Sequence, residues 1–519
     1  MKTKGIISCG HPLTAQAAVQ VLHEGGNAFD AVVAAFFAAC VAEPVLASLG
    51  GGGFLNALPA NKKPTVFDFF CQTPVHKPPL NEIDLYPITA DFGESTQEFH
   101  IGMGSIAVPG SVKGMFEIHK RLCSLPMSVL VQPAMEMAKD GIIVNEFQSY
   151  IFDIVKPIYR SNTACMSIYK SRQQSSNGAD KLVQSQDLLI QPDLADTFAS
   201  LAKYGEAWFY NNDIANSISQ SCQQNGGLLT LDDLRAYRVV RRTPVNLSYR
   251  KHKILLNPPP SSGGLLIGFA LKLLENLELK RYKKHSIDYL NMLVEIMRLT
   301  GNARIDTESN ILLQNSLQLL QPDLIKRYVD QISHGYQFNR GTTHISIIDN
   351  AHNVASMTVS NGEGSGYVIP GTGIVLNNML GEQDINPAGF NQWLENQRIS
   401  SMMSPTVVIG NDNKLIALGS GGSNRIRSAI FQVLINIIDH RENLTDAVIS
   451  PRIHFENNFL NVESGIEKFL IPEFSDEVKE VKYWNNKNLY FGGVHCVTKL
   501  ADYFDGAGDP RRGGISVSV

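Results

Sequence analysis

The chain has 519 residues, enough for a few units of about 150 residues or for one large α/β domain. Its 45 Lys and Arg stand against 49 Asp and Glu, a formal charge of −4, and no basic run is long enough to neutralise a phosphate backbone, which excludes nucleic acid as a partner. Hydrophobic residues at 44% and charged residues at 18% exclude a disordered or fibrous chain.

The opening stretch, MKTKGIISCGHPLT, lacks the apolar segment of about seven to fifteen residues that a secretory signal carries, so a cytoplasmic location is expected. Residues 14–42 are helical by spacing, with a stop at Gly25-Gly26 and a restart capped by Asn27. Within them, residues 31–42 form an uncharged apolar run of twelve between Asp30 and Glu43. A membrane span needs about twenty, so this run reads as a buried helix and no membrane partner is expected. Gly50 to Gly53 then lead into a strand reaching Leu58, a tight turn where backbone approaches something closely.

Residues 110–240 read as mostly helical, broken at Pro126, Asn177-Gly178, Pro192 and Gly226-Gly227, and suited to covering a sheet on one side. In residues 253–275 a short strand is followed by Pro258-Pro259-Pro260, a Ser-Ser-Gly-Gly turn and a long apolar helix. Residues 308–341 are polar and weakly patterned, an exposed connection open to cutting.

Beyond it the period changes to two: TTHISIID and VASMTVS alternate around NAHN, a hairpin centred on Ala351. Residues whose numbers sum to 702 then face each other, so the Thr342 hydroxyl meets the Ser360 hydroxyl across a gap typical of cross-strand pairs. Two small-residue clusters follow, 399–406 and 419–426, suited to aiming backbone amides at an anion. His344 reads as a hydrogen-bonded structural histidine rather than a base, and residues 362–366 lack the spacing of a dinucleotide fingerprint. The cysteines, Cys9, Cys40, Cys71, Cys123, Cys165, Cys222 and Cys496, are odd in number and never spaced C-x-x-C, which predicts free and mostly buried thiols. Zinc-protease, P-loop and G-x-S-x-G signatures are absent, and no metal or other cofactor is expected.

Together, GNAFDAVVAAFFAACVAEPVLASLGGGGF, PAMEMAKDG, GGLLTLDDLRAYRVVRRTPV, NPPPSSGG, TTHISIID, SSMMSPT and GDPRRGG resemble the γ-glutamyltransferase family of N-terminal nucleophile hydrolases nearly end to end. The resemblance implies an α+β fold, a four-layer αββα sandwich. It further implies self-cleavage between Gly341 and Thr342 into a large segment, 1–341, and a small segment, 342–519, intertwined as one domain, with a dimer of such heterodimers as the assembly to consider. Carried over by position, Thr342 is the nucleophile and Ser360 its supporting hydroxyl. Ser400 and Ser401 contact the substrate carboxylate, and the amides of Gly422 and Ser423 form the oxyanion hole, Ser423 standing where typical members have glycine. A freed α-amino group, with a pKa near 8, can serve as the base for the weakly nucleophilic threonine hydroxyl, so no histidine is required.

Three departures accompany the match. DFFCQTP puts Phe70 where the family carries an arginine that clamps the glutamyl α-carboxylate, the asparagine after the hairpin hydroxyl is Gly362, and the polar residues after LNN become Met379 and Glu382. Exchanging arginine for phenylalanine removes a charge and a bidentate fork. The implied activity is cleavage of a γ-glutamyl amide such as glutathione through a threonyl ester, released to water or an amine. The alternatives are an acylase for another side-chain amide, such as a glutaryl group or the substrate of a cephalosporin acylase, and an uncut relative that only binds.

Overall fold

The computed structural model describes residues 3–91, 96–172, 180–309, 320, 341–386, 389–469 and 471–519. Asn27 sets the first helix pair. Its side-chain oxygen accepts from the amides of Phe29 and Asp30 while Asp30 accepts from the Asn27 amide, a reciprocal cap. The chain therefore leaves helix Pro12–His23 through Gly25, at φ +92°, and re-enters as Ala28–Ala42. Every residue of the second helix is buried, which explains why residues 31–42 show no polar face.

Two antiparallel sheets organise the rest. The seven-stranded sheet runs, in spatial order, Ile515–Ser518, Gly5–Cys9, Thr343–Asp349, Val354–Ser360, Gly52–Leu58, Thr65–Asp68 and Val240–Arg242. The six-stranded sheet runs Tyr503–Ala507, Gly493–Leu500, Leu415–Gly421, Thr406–Ile409, His252–Leu256 and Val245–Tyr249. Strands from 1–341 and from 342–519 thus share both sheets.

Strand alternation decides what each face meets. Ile345 and Ile347 join Ala355 and Met357 against the helix Ala28–Ala42. Ile348, with Ile6 and Val354, meets Leu255, Val407, Ala417 and Val497 of the other sheet. The outer face of the six-stranded sheet packs Ile254, Leu256, Val408, Ile416 and Leu418 among helices Gly263–Glu275, Ile287–Ser309 and Arg425–Ile438. His344 lies on the side turned to the second sheet, where Gly419 lacks the Cβ that would collide with its ring. Its nitrogens pair with Thr358 Oγ1 at 2.7 Å and Ser346 Oγ at 2.8 Å, and burial holds its pKa well below the usual value, so it is a neutral structural histidine, as expected.

The helices between Ser111 and Ala236 join the cluster on the seven-stranded sheet's helical side, with Pro126 as the N-cap of Met127–Asp140 and Pro192 opening Pro192–Tyr204. The expected break at Asn177-Gly178 lies outside the described residues. Residues 308 and 309 end the helix Ile287–Ser309 rather than opening a loop, and most of the connection expected up to residue 341 also lies outside the described residues. The seven cysteines are unpaired, six of them buried. Among the described residues no helix is long and apolar enough to cross a membrane.

The GDPRRGG segment closes the fold through a buried ionic cluster. Arg511 contacts Glu463 at 2.5 Å and Asp509 at 3.1 Å, and Arg452 reaches Asp509 at 2.7 Å. Burial by itself would raise the Asp509 carboxyl, but Arg452 and Arg511 hold it well below the usual carboxylate range. The folded value is depressed, so this contribution is present above an aspartate's ordinary pKa of about 3.9 and is lost as pH falls below it. Asp509→Ala, which leaves buried Arg452 without its ion-pair partner and Arg511 with Glu463 alone, is expected to cost about 3–5 kcal/mol in denaturant unfolding at pH 7, with a smaller deficit in acid. A loss below about 1 kcal/mol would contradict this role for the cluster.

Candidate active site

The hairpin register is the one the alternation predicts. Thr343 pairs with Val359 and His344 with Thr358, numbers that sum to 702, and Thr342 Oγ1 lies 3.5 Å from Ser360 Oγ. Ser360 is fixed from the other side by Gly362, whose N–H donates to Ser360 Oγ at 3.0 Å. With its own proton Ser360 donates to the carbonyl of Gly341 at 2.8 Å, and Thr342 Oγ1 donates to the same oxygen at 2.6 Å. Two hydroxyls therefore converge on the carbonyl of the Gly341–Thr342 peptide bond.

Elements on both sides of that bond hold it. Arg512 Nη1 donates to the Thr342 carbonyl at 3.2 Å. Burial lowers the Arg512 pKa to about 10, which leaves it a cation at neutral pH. The neighbouring Thr343 hydroxyl donates to Glu43 at 2.8 Å, as does Thr14, so the end of the Ala28–Ala42 helix is tied to the start of the hairpin strand. Burial pushes the Glu43 carboxyl up, and those hydroxyl bonds oppose the shift. Gly51 needs its missing side chain here, since a Cβ would collide with the Ser360 carbonyl.

Thr342 and Ser360 open onto a cleft of about 330 Å³, solvent at its mouth included, whose lining also holds Phe70, Met379, Glu382, Ile385, Ser401, Met402, Met403, Ser423 and Ile426. The cleft brings together most of the expected residues. Ser401 lines it, whereas its neighbour Ser400 is only half-buried and does not. The NPPPSSGG turn explains how Ser401 is placed: Ser261 Oγ and the Ser262 N–H donate to the Ser401 carbonyl at 2.8 and 3.0 Å, and Asn257 donates to the Met403 carbonyl at 2.9 Å.

Gly422 and Ser423 follow the strand Leu415–Gly421 with φ of +118° and +52°, and Asn424 returns to the right-handed region before helix Arg425–Ile438. A left-handed residue followed by a right-handed one is the backbone pattern of anion-binding nests.

Phe70 is firmly anchored. Its ring lies 5.5 Å from that of Phe54, and its carbonyl accepts from Tyr237 at 2.8 Å and from Arg398. Arg398 touches the backbone of this position, but the rest of its guanidinium is directed to Asp68 at 3.3 Å, to Tyr237 Oη and to the Arg238 carbonyl, both at 2.6 Å. It is not among the residues lining the cleft. Gly362, at φ +64°, sits so close to Asn378 Oδ1 and Glu382 Oε1 that a Cβ there would collide with both. Gly362 and Glu382 are thus one local arrangement rather than two separate departures. The sequence pattern does not single out Ile385, Met402, Met403 and Ile426 as lining; Met402 and Met403 lie in a cluster that stands out for its small residues, and Ile426 ends the other.

A family model described as gamma-glutamyltranspeptidase matches residues 14–519, and the chain belongs to this family. The glutathione hydrolase proenzyme of Escherichia coli (strain K12) is 29% identical over 514 residues, covering 91% of this chain and 84% of its own. The acylase ACY 1 proenzyme of Pseudomonas sp. (strain V22) is 28% identical over 487 residues, covering 89% and 85% respectively. Among solved structures, the cephalosporin acylase from Bacillus halodurans superposes with a TM-score of 0.83 at 22% identity over 99% of this chain and 96% of that one, a likeness of fold.

The register generates a test. Ser360→Ala removes the hydroxyl that supports both Thr342 and the Gly341 carbonyl, so it should slow cleavage of the chain and turnover together by about tenfold or more, while Ser360→Thr is tolerated. Gel quantification of cleavage and an amidase assay read the two rates, and wild-type values for Ser360→Ala in both would contradict the arrangement.

Proposed function

We propose that this chain is an autoprocessing amide hydrolase and acyltransferase that uses Thr342 Oγ1 as its nucleophile. The observation that carries the reading is the convergence of the Thr342 and Ser360 hydroxyls on the Gly341 carbonyl, at 2.6 and 2.8 Å. In self-cleavage Thr342 Oγ1 bonds to the Gly341 carbonyl carbon, the C–N bond breaks, and the hydroxyl proton passes to the departing nitrogen. Water then hydrolyses the ester, leaving a carboxylate on Gly341 and a free amine and hydroxyl on Thr342. That amine, blocked as an amide before the cut, becomes the base for substrate turnover. The substrate amide is attacked in the same way, the amides of Gly422 and Ser423 stabilise the oxyanion, and the ester passes its acyl group to water or an amine.

The segments 1–341 and 342–519 then become large and small subunits of one interleaved unit, and the two sheets with their outer helices read as the αββα sandwich of N-terminal nucleophile hydrolases. Within the family, γ-glutamyl amides such as glutathione are the first substrates to test. The lining by Phe70, Met379, Ile385, Met402, Met403 and Ile426 favours a second reading, an acylase whose acyl group has a less polar end. A charge-assisted pair to a carboxylate is worth about 1.5–3 kcal/mol, so the missing arginine should weaken γ-glutamyl substrates by roughly ten- to a hundredfold.

Two outcomes are expected. Purified wild-type protein yields chains of 341 and 178 residues, the second beginning at Thr342, whereas Thr342→Ala gives one full-length band. Cleavage of Thr342→Ala at the same bond would refute the nucleophile. On a panel of p-nitroanilides, simple aliphatic acyl groups should turn over better than γ-glutamyl. Efficient γ-glutamyl turnover alone would restore the glutathione-type reading.

A further inference from the structure

We infer that Glu363 is a positioning residue for self-cleavage, holding the amide of Gly341 while Ser360 holds its carbonyl; the inference rests on Thr342 being the nucleophile. The Gly341 N–H donates to Glu363 Oε1 at 2.7 Å. Its carbonyl accepts from Ser360 at 2.8 Å and Thr342 at 2.6 Å, so both polar groups of the residue on the acyl side of the cut are engaged. Glycine has the largest conformational freedom of any residue, and with one end loose Gly341 could rotate its carbonyl away from Thr342 Oγ1.

The turn that follows the hairpin supplies both contacts. Ser360 ends the strand, Gly362 and Gly364 bend the chain at φ +64° and +90°, and Glu363 between them is fixed by its own N–H, which donates to Asn378 Oδ1 at 3.0 Å. Glu363 is only 2% exposed, so water competes little for the contact with Gly341. A carboxylate acceptor makes this bond stronger than a neutral one. Glu363 neither gives nor takes a proton in the cleavage; it raises the fraction of chains in which the carbonyl already faces the hydroxyl.

The test follows cleavage of freshly translated full-length chain over time, with the melting temperature of each variant measured alongside. Glu363→Leu, similar in bulk but without an acceptor, should slow cleavage by about ten- to a hundredfold, and Glu363→Gln, which keeps an acceptor oxygen, should stay within about threefold of wild type. If Glu363→Leu does not fold, Glu363→Ala carries the same expectation. Equal slowing by Gln and Leu, or a wild-type rate for Leu while Thr342→Ala remains uncut, would overturn the role of Glu363 alone. A wild-type chain that never cuts at Gly341 would overturn the nucleophile reading and this inference with it.

Discussion

The register of one hairpin governs the whole site. Thr343–Asp349 and Val354–Ser360 pair so that opposite residues sum to 702, and a slip of one residue would turn every side chain to the other face. Ile345 and Ile347 would leave the helical side, His344 would lose Thr358, and Thr342 would no longer meet Ser360. The burial of both strands along their full length makes such a slip prohibitively costly, so the cores on either side of the sheet hold the two hydroxyls in place.

The surroundings reinforce that register from parts of the chain distant in sequence. Glu43 ties the Ala28–Ala42 helix to Thr343, and Arg512 reaches the Thr342 carbonyl from the segment anchored by Asp509 and Arg511. Gly5–Cys9 and Gly52–Leu58 flank the hairpin, and none of these pairings runs through the peptide bond ahead of Thr342. An interleaved fold of this kind is compatible with a cut in one connection.

Much of this was legible in the sequence. Asn27 announced the helix restart, alternation fixed the hairpin, and Thr342, Ser360, Ser401, Ser423, Phe70 and Glu382 do gather on one cleft. What stayed hidden depends on contacts between distant segments. Glu363 sits in a glycine-rich turn with no periodicity, and its hold on Gly341 exists only once the turn after the hairpin folds back. Ser400 and Ser401 are indistinguishable by type, and the Ser261-Ser262 turn determines which faces the cleft. Arg398 lies far from Phe70 in sequence yet bonds its carbonyl, and only its further bonds to Asp68 and Tyr237 reveal that it is engaged elsewhere. Met402 and Met403 were obscured by the serines around them.

The central claim, that Thr342 Oγ1 carries the acyl group, is tested most directly by mass spectrometry of processed protein acid-quenched during turnover of an aliphatic acyl p-nitroanilide. The account predicts a mass increase equal to the acyl group on the 178-residue chain, located at its N-terminal threonine. Turnover with the adduct at another residue, or with none detectable during a burst of p-nitroaniline release, would contradict it.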